Sequence, residues 1–301
     1  MRFNGGVLYL SDKHSGGTKR ILIRSPIYFA YIFLILWTIL QLFPLIWMLY
    51  SSLKSNPDIF SNRFAPPFLP TQIHPENYIV AWTGGFENVT TGLYLTNSII
   101  VSSISIIFLV FISVLAGYSI ARLKPKGSNF IFYFFLIMIA IPPAALLVPI
   151  YTEIRLFGLV NQYLGLILPY IGLSLPFSIV VARSFFMSFP REFEEAAKID
   201  GCSEVATFRW IILPLSRGIL AMLAIVNFPG IWNELLFALV IMQSNSMKTL
   251  GPGLMGFVGQ YVTLYNYLFA GLDIAVIPLI IFYMIFQKQI VKGVLAGSIK
   301  G

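Results

Sequence analysis

The chain has 301 residues, of which 57% are apolar and only 11% charged, with a formal net charge of +8. A mean hydropathy of +0.82 and a charged share well under the ~25% of soluble domains exclude a soluble globular protein and predict a polytopic membrane one. The basic balance reads as Lys and Arg gathered in cytoplasmic loops, not as a nucleic-acid surface.

Residues 1–27 are polar, and their first 20 are rich in Gly and Ser. They predict a cytoplasmic N-terminal segment without a cleavable signal peptide, because the first apolar run is too long for one. Six apolar runs follow, at about 28–50, 97–121, 129–152, 164–183, 218–242 and 270–287. Each is near the ~20 residues that cross the hydrocarbon core as a helix. Helices are required because lipid offers an open backbone no hydrogen-bond partner. The prediction is an all-α polytopic membrane protein with six transmembrane helices, a transmembrane domain over 28–287 and a tail over 288–301. With the N-terminus inside, sixteen Lys and Arg fall on the inner side and four on the outer. That asymmetry places both termini in the cytoplasm.

The stretch 190–214, between the fourth and fifth runs, carries eight of the chain's 32 charged side chains. Pro190 suits a first helical turn. Glu192, Glu194 and Glu195 suit the positive end of a helix dipole, and Ala196 and Ala197 favour helix. Gly201 fits a left-handed C-cap, and Ser203 fits the N-cap of a second short helix with Glu204 in its first turn. Pro214 discourages helix through Leu213. The residues predict a cytoplasmic helix–turn–helix whose small alanines let another protein approach closely. On residues alone, a solvated helical loop fits equally well.

Glu195-Ala196-Ala197, Asp200-Gly201, Ile211 and Leu213-Pro214 resemble the "EAA…G…I-x-LP" loop of ABC importer inner-membrane subunits. The likeness extends over nearly the whole chain. It is specifically similar to the shorter permease of the maltose-type carbohydrate uptake family, through "PLIWMLYSSLK", "TNSIIVS", "AGYSIARLKPKG", "IPPAALLVPIY", "WNELLFAL" and "FQKQIVKGVLAGSIKG". The resemblance implies that 190–214 is a coupling-helix pair seated on an ATPase subunit. The partners implied are a second, non-identical permease, two ATP-binding subunits, an extracellular or periplasmic solute-binding protein, a carbohydrate substrate and the lipid bilayer. The implied location is the prokaryotic plasma (inner) membrane. No G-x-x-x-x-G-K-S/T run exists, so ATP and Mg are expected on partner subunits, with no cofactor or metal bound by this chain and no enzyme activity of its own.

Glu234 is the sharpest single residue, because a charge in an apolar span costs a few kcal/mol. With Asn227, Trp232 and Asn233 it forms a polar patch expected to line the pathway or to meet the second permease. Trp232 can stack on a sugar face. Arg122, Lys124 and Lys126 read as anchors closing the second span, and Asp273 as a residue at the water interface. Prolines in or beside the spans predict kinks that let a bundle enclose a cavity. The outer loop 51–96 and the glycine-rich 243–261 are candidate docking surfaces for the binding protein. Asn88-Val89-Thr90 matches a glycosylation sequon that a prokaryotic protein leaves unused. A polyol, glycerophosphodiester or peptide importer is the alternative. An ion-coupled carrier fits poorly without an inverted repeat. A membrane-embedded enzyme lacks its constellation: the only histidines are His14 and His74, and the one cysteine is Cys202.

Overall fold

The computed structural model describes residues 3–4, 7–8, 25–61, 73–84, 89–259 and 261–298. Residues 62–72 and 85–88 of the outer loop, including Asn88 of the sequon, lie outside the described residues, as does most of 1–27. The described chain is helical apart from two short strands, Phe3–Asn4 and Val7–Leu8, and one bridge between Val258 and Thr263.

Helix α1 spans Ser25–Ser51. It is followed by short helices α2 (Asn56–Ser61) and α3 (Glu76–Thr83). Helix α4 (Thr91–Tyr118) runs on through a wide π-helical turn, Ser119–Leu123. Helices α5 (Ser128–Met138) and α6 (Leu147–Leu156) precede α7 (Tyr163–Ser188). Among the described residues, four helices are long and apolar enough to cross a membrane, and the count reaches six if each of two bent helix pairs is one span.

The third apolar run is not one straight helix. It bends by 98° between Ser128–Met138 and Pro143–Leu156. Pro142 sits in extended backbone with ψ 130. Pro143 disfavours the helical region for the residue before it and has no N–H to give. By contrast, α7 runs unbroken through Pro169 and Pro176.

Helices α4 and α7 form the central pair. Ser98, Ser102, Ser105, Leu109, Ser113 and Gly117 are buried at three- and four-residue spacing along one face of α4, and all but Leu109 are small. Small residues there let two backbones approach, since lipid provides no hydrophobic drive to press helices together. The approach is tight at Gly117, where an added Cβ would lie 2.6 Å from Ala182 Cβ and 2.8 Å from the Arg183 backbone nitrogen. The Arg183 atom is backbone and cannot swing aside. Gly117→Ala is therefore expected to destabilise the chain by about 1–3 kcal/mol, read as a lower thermal midpoint in detergent.

At the opposite end, Tyr78 of α3 links the chain just past α1 to the helix Tyr265–Ser298. Its hydroxyl donates to Asp273 Oδ2 at 2.7 Å and lies 2.7 Å from Ser52 Oγ. Burial pushes that hydroxyl up to about 12, so it stays a donor. Asp273 is thus tied into the scaffold and is not merely an interfacial charge. Helix α1 stands clear of the bundle, with every residue from 28 to 46 exposed. Near its end, Trp47 meets Phe269 edge-on at 5.2 Å.

Candidate functional site

The stretch 190–214 folds as a hairpin. Helix α8 spans Glu192–Ile199 with Glu192, Glu194 and Glu195 in its first turn. Asp200 caps it, its N–H reaching Ala196 O at 3.0 Å. Gly201 then takes φ +78. The Cys202 N–H bonds Ala197 O at 2.9 Å and the Gly201 N–H bonds Lys198 O at 3.1 Å. That pair of bonds is a Schellman cap, and its left-handed position favours glycine. Ser203 Oγ accepts from the Ala206 N–H at 3.3 Å and caps α9, Glu204–Thr207.

The second half differs from expectation. Helical backbone continues through Leu213 (φ −61, ψ −45) into α10, Leu213–Leu215, so Pro214 does not stop it. The reason is the π-helical turn Phe208–Ile212. A wider turn moves away the carbonyl that the proline ring would strike and needs no bond from its missing N–H. Buried Ser216 then marks a 67° bend into α11, Arg217–Trp232. Hairpin and fifth span are therefore one continuous piece of chain.

The hairpin's outer surface also differs. Ala196 is exposed, but Ala197 is turned into the bundle at 2% exposure. The open face instead carries Ile199, Val205 and Trp210, exposed at 86, 76 and 70%. Glu195, Asp200 and Gly201 share the exposed surface, whereas Ile211 and Leu213 are half-buried. Large apolar side chains left open on a charged hairpin mark a protein-contact surface.

Arg122, read from sequence only as an anchor, holds the hairpin to the bundle. Its Nε lies 3.4 Å from Glu194 Oε1, with both side chains largely buried. Its Nη2 donates to the Phe189 carbonyl at the end of α7. One turn earlier, the Tyr118 ring packs against Phe186 at 5.4 Å and Phe208 at 4.8 Å. A polar cavity of about 280 Å³ separates the hairpin from the end of α4, lined by Arg122, Glu194, Lys198 and Glu204 among others.

The fifth span is broken as well. After Trp232 the helix stops and restarts as α12, Leu236–Ile241. Glu234 sits in the break. Its carboxylate accepts from the Phe237 N–H at 2.8 Å, the Ala238 N–H at 3.1 Å and the Tyr170 hydroxyl at 2.7 Å. The charge thus answers the unpaired N–H groups of a half-helix. Asn227 donates to Ser178 Oγ and Leu223 O. Trp232 is buried, with Nε1 3.3 Å from Ala275 O and its ring 5.5 Å from Phe228. The ring is not open to a sugar in this structure. Asn233, Pro229 and Gly230 are exposed.

Several apolar spans, one of them broken at a carboxylate, and a charged hairpin with an open apolar face describe a polytopic membrane protein with a surface suited to a partner. Residues 112–295 match the binding-protein-dependent transport system inner membrane component family. The chain is 38% identical to the probable ABC transporter permease protein YurM of Bacillus subtilis, over 90% of this chain and 88% of that protein. It is 33% identical to the diacetylchitobiose uptake system permease protein NgcG of Streptomyces coelicolor, over 89% of this chain and 87% of that one. A crystal structure of a bacterial ABC transporter involved in the import of the acidic polysaccharide alginate shares the fold, at a TM-score of 0.73 and 19% identity, over 88% of this chain and 97% of that chain. The chain belongs to the binding-protein-dependent transport system inner membrane component family and is an ABC transporter permease.

Proposed function

We propose that this chain forms half of the pathway of an ATP-driven importer of a sugar or oligosaccharide in the prokaryotic plasma membrane. Separate ATP-binding subunits, which carry ATP and Mg, seat on the hairpin at 190–214. Glu195, Ala196, Ala197, Asp200, Gly201, Ile211, Leu213 and Pro214 form the coupling segment. The observation that carries this reading is the apolar face of Ile199, Val205 and Trp210 on a hairpin continuous with the fifth span. The uptake system of the diacetylchitobiose relative supports a carbohydrate. The Lys and Arg asymmetry supports a cytoplasmic hairpin and termini.

The other partners follow from exposed surfaces. The bare flank of α1 supports a second, non-identical permease packed against it. Tyr261, 92% exposed beside the Val258–Thr263 bridge, supports contact with an extracellular or periplasmic solute-binding protein. Asn227, Asn233 and Glu234 stay in or beside the pathway as structural members of the broken span, with Asn233 the one open to solute or partner.

The test uses the assembled transporter with Cys202, the only native cysteine, changed to Ser. Ile199→Cys is expected to cross-link to the ATPase subunit. Ile199→Asp is expected to weaken ATPase association about 10- to 100-fold, because an apolar side chain loses a burial contribution of ~1.5–3 kcal/mol. Undiminished association together with no cross-link would overturn the assignment.

A further inference from the structure

We propose that Arg122 is a positioning residue whose guanidinium binds the end of α4, the end of α7 and the hairpin into one rigid body, with Glu194 as its partner. This deepens the coupling reading and rests on it.

Neighbouring glutamates on α8 point to different sides. Glu195 is exposed, whereas the Glu194 side chain is 17% exposed and turned to the bundle. Ala197, one turn on, is buried on that same side. The helix thus has an outer face for a partner and an inner face for its own bundle. Arg122 meets the inner face with its side chain 4% exposed. It reaches Glu194 with Nε and the Phe189 carbonyl with Nη2. The Nε contact is an ion pair and the Nη2 contact a hydrogen bond, and a lysine, a single point charge, cannot hold both partners from one planar group. Tyr118, on the same stretch of α4, takes the second half of the hairpin through Phe208. One end of α4 therefore grips α7, α8 and the turn before α10 together. A push on Ile199 or Glu195 then moves α4 and α7 directly, as well as α11 through its continuity with the hairpin.

The assembled transporter tests this with spin labels at native Cys202 and at Ile112→Cys on the exposed side of α4. One narrow distance, equal with and without ATP, is expected in the otherwise unaltered chain. Arg122→Ala is expected to broaden it and to lower solute moved per ATP hydrolysed on the order of tenfold. Arg122→Lys is expected to fall between. If Arg122→Ala does not assemble, the near-isosteric Glu194→Gln decides, with the same fall in solute per ATP expected. A distance that shifts with ATP in the unaltered chain, or either neutralising variant moving as much solute per ATP as wild type, overturns the proposal. Failure of the coupling reading itself looks different. The Ile199→Cys cross-link to the ATPase would then be missing, whatever the label distance does.

Discussion

Glu195→Lys and Gly201→Asp are each expected to abolish uptake while the chain still inserts at its normal level. Glu195 is exposed, so the fold should change by less than ~0.5 kcal/mol. Reversing a charge where a partner docks costs several kcal/mol through like-charge contact, and each ~1.4 kcal/mol is tenfold. A loss of at least about a hundredfold in uptake follows. Gly201 separates space from strain. Nothing lies within 4 Å of an added Cβ, but φ is +78. Asp is among the few residues that visit this region readily. Its failure would therefore come from bulk and charge pushed into the docking surface. Gly201→Val, by contrast, should strain the Schellman cap itself by about 1–2 kcal/mol. Uptake of labelled solute, set against the amount of chain in the membrane, checks this. Wild-type uptake in both Glu195→Lys and Gly201→Asp would remove the coupling role.

Legibility in the sequence followed the range of the interaction. The caps at Gly201 and Ser203 were readable because each is decided within four residues by backbone conformation and one side chain. Apolar runs were readable because membrane thickness sets their length. Which alanine faces outward was not readable. That depends on how α8 is rotated against the bundle, where Glu194 meets Arg122 from a distant part of the chain. The bend at 139–142 had a local sign in Pro142-Pro143. The continuation through Pro214 had none, because the π-helical turn that accommodates the proline is not marked by any one residue before it. Glu234 was found by its cost in an apolar run, but its capping role was not legible there. Sequence shows a carboxylate in lipid and not the two N–H groups aimed at it.

That role leads to the second large effect. Glu234→Ala is expected to lower the thermal midpoint of the purified transporter by roughly 6–12 °C, from about 3 kcal/mol lost at ~2–4 °C per kcal/mol. The substitution strips an acceptor from the Phe237 and Ala238 N–H groups and from the Tyr170 hydroxyl. Phe237 and Ala238 are 2% and 0% exposed, so water does not replace the carboxylate there. A buried donor left unmet costs about 1–3 kcal/mol. Glu234→Gln keeps one acceptor oxygen and should show a smaller drop. Tyr170→Phe removes one donor, and because it shares that acceptor its effect should not add to that of Glu234→Ala. A direct solute contact would behave differently: Glu234→Ala would then weaken transport at an unchanged midpoint. Melting and uptake measured on these three variants and on the Glu234→Ala/Tyr170→Phe double variant decide between them. A wild-type midpoint in Glu234→Ala would reject the capping role and return the carboxylate to the solute.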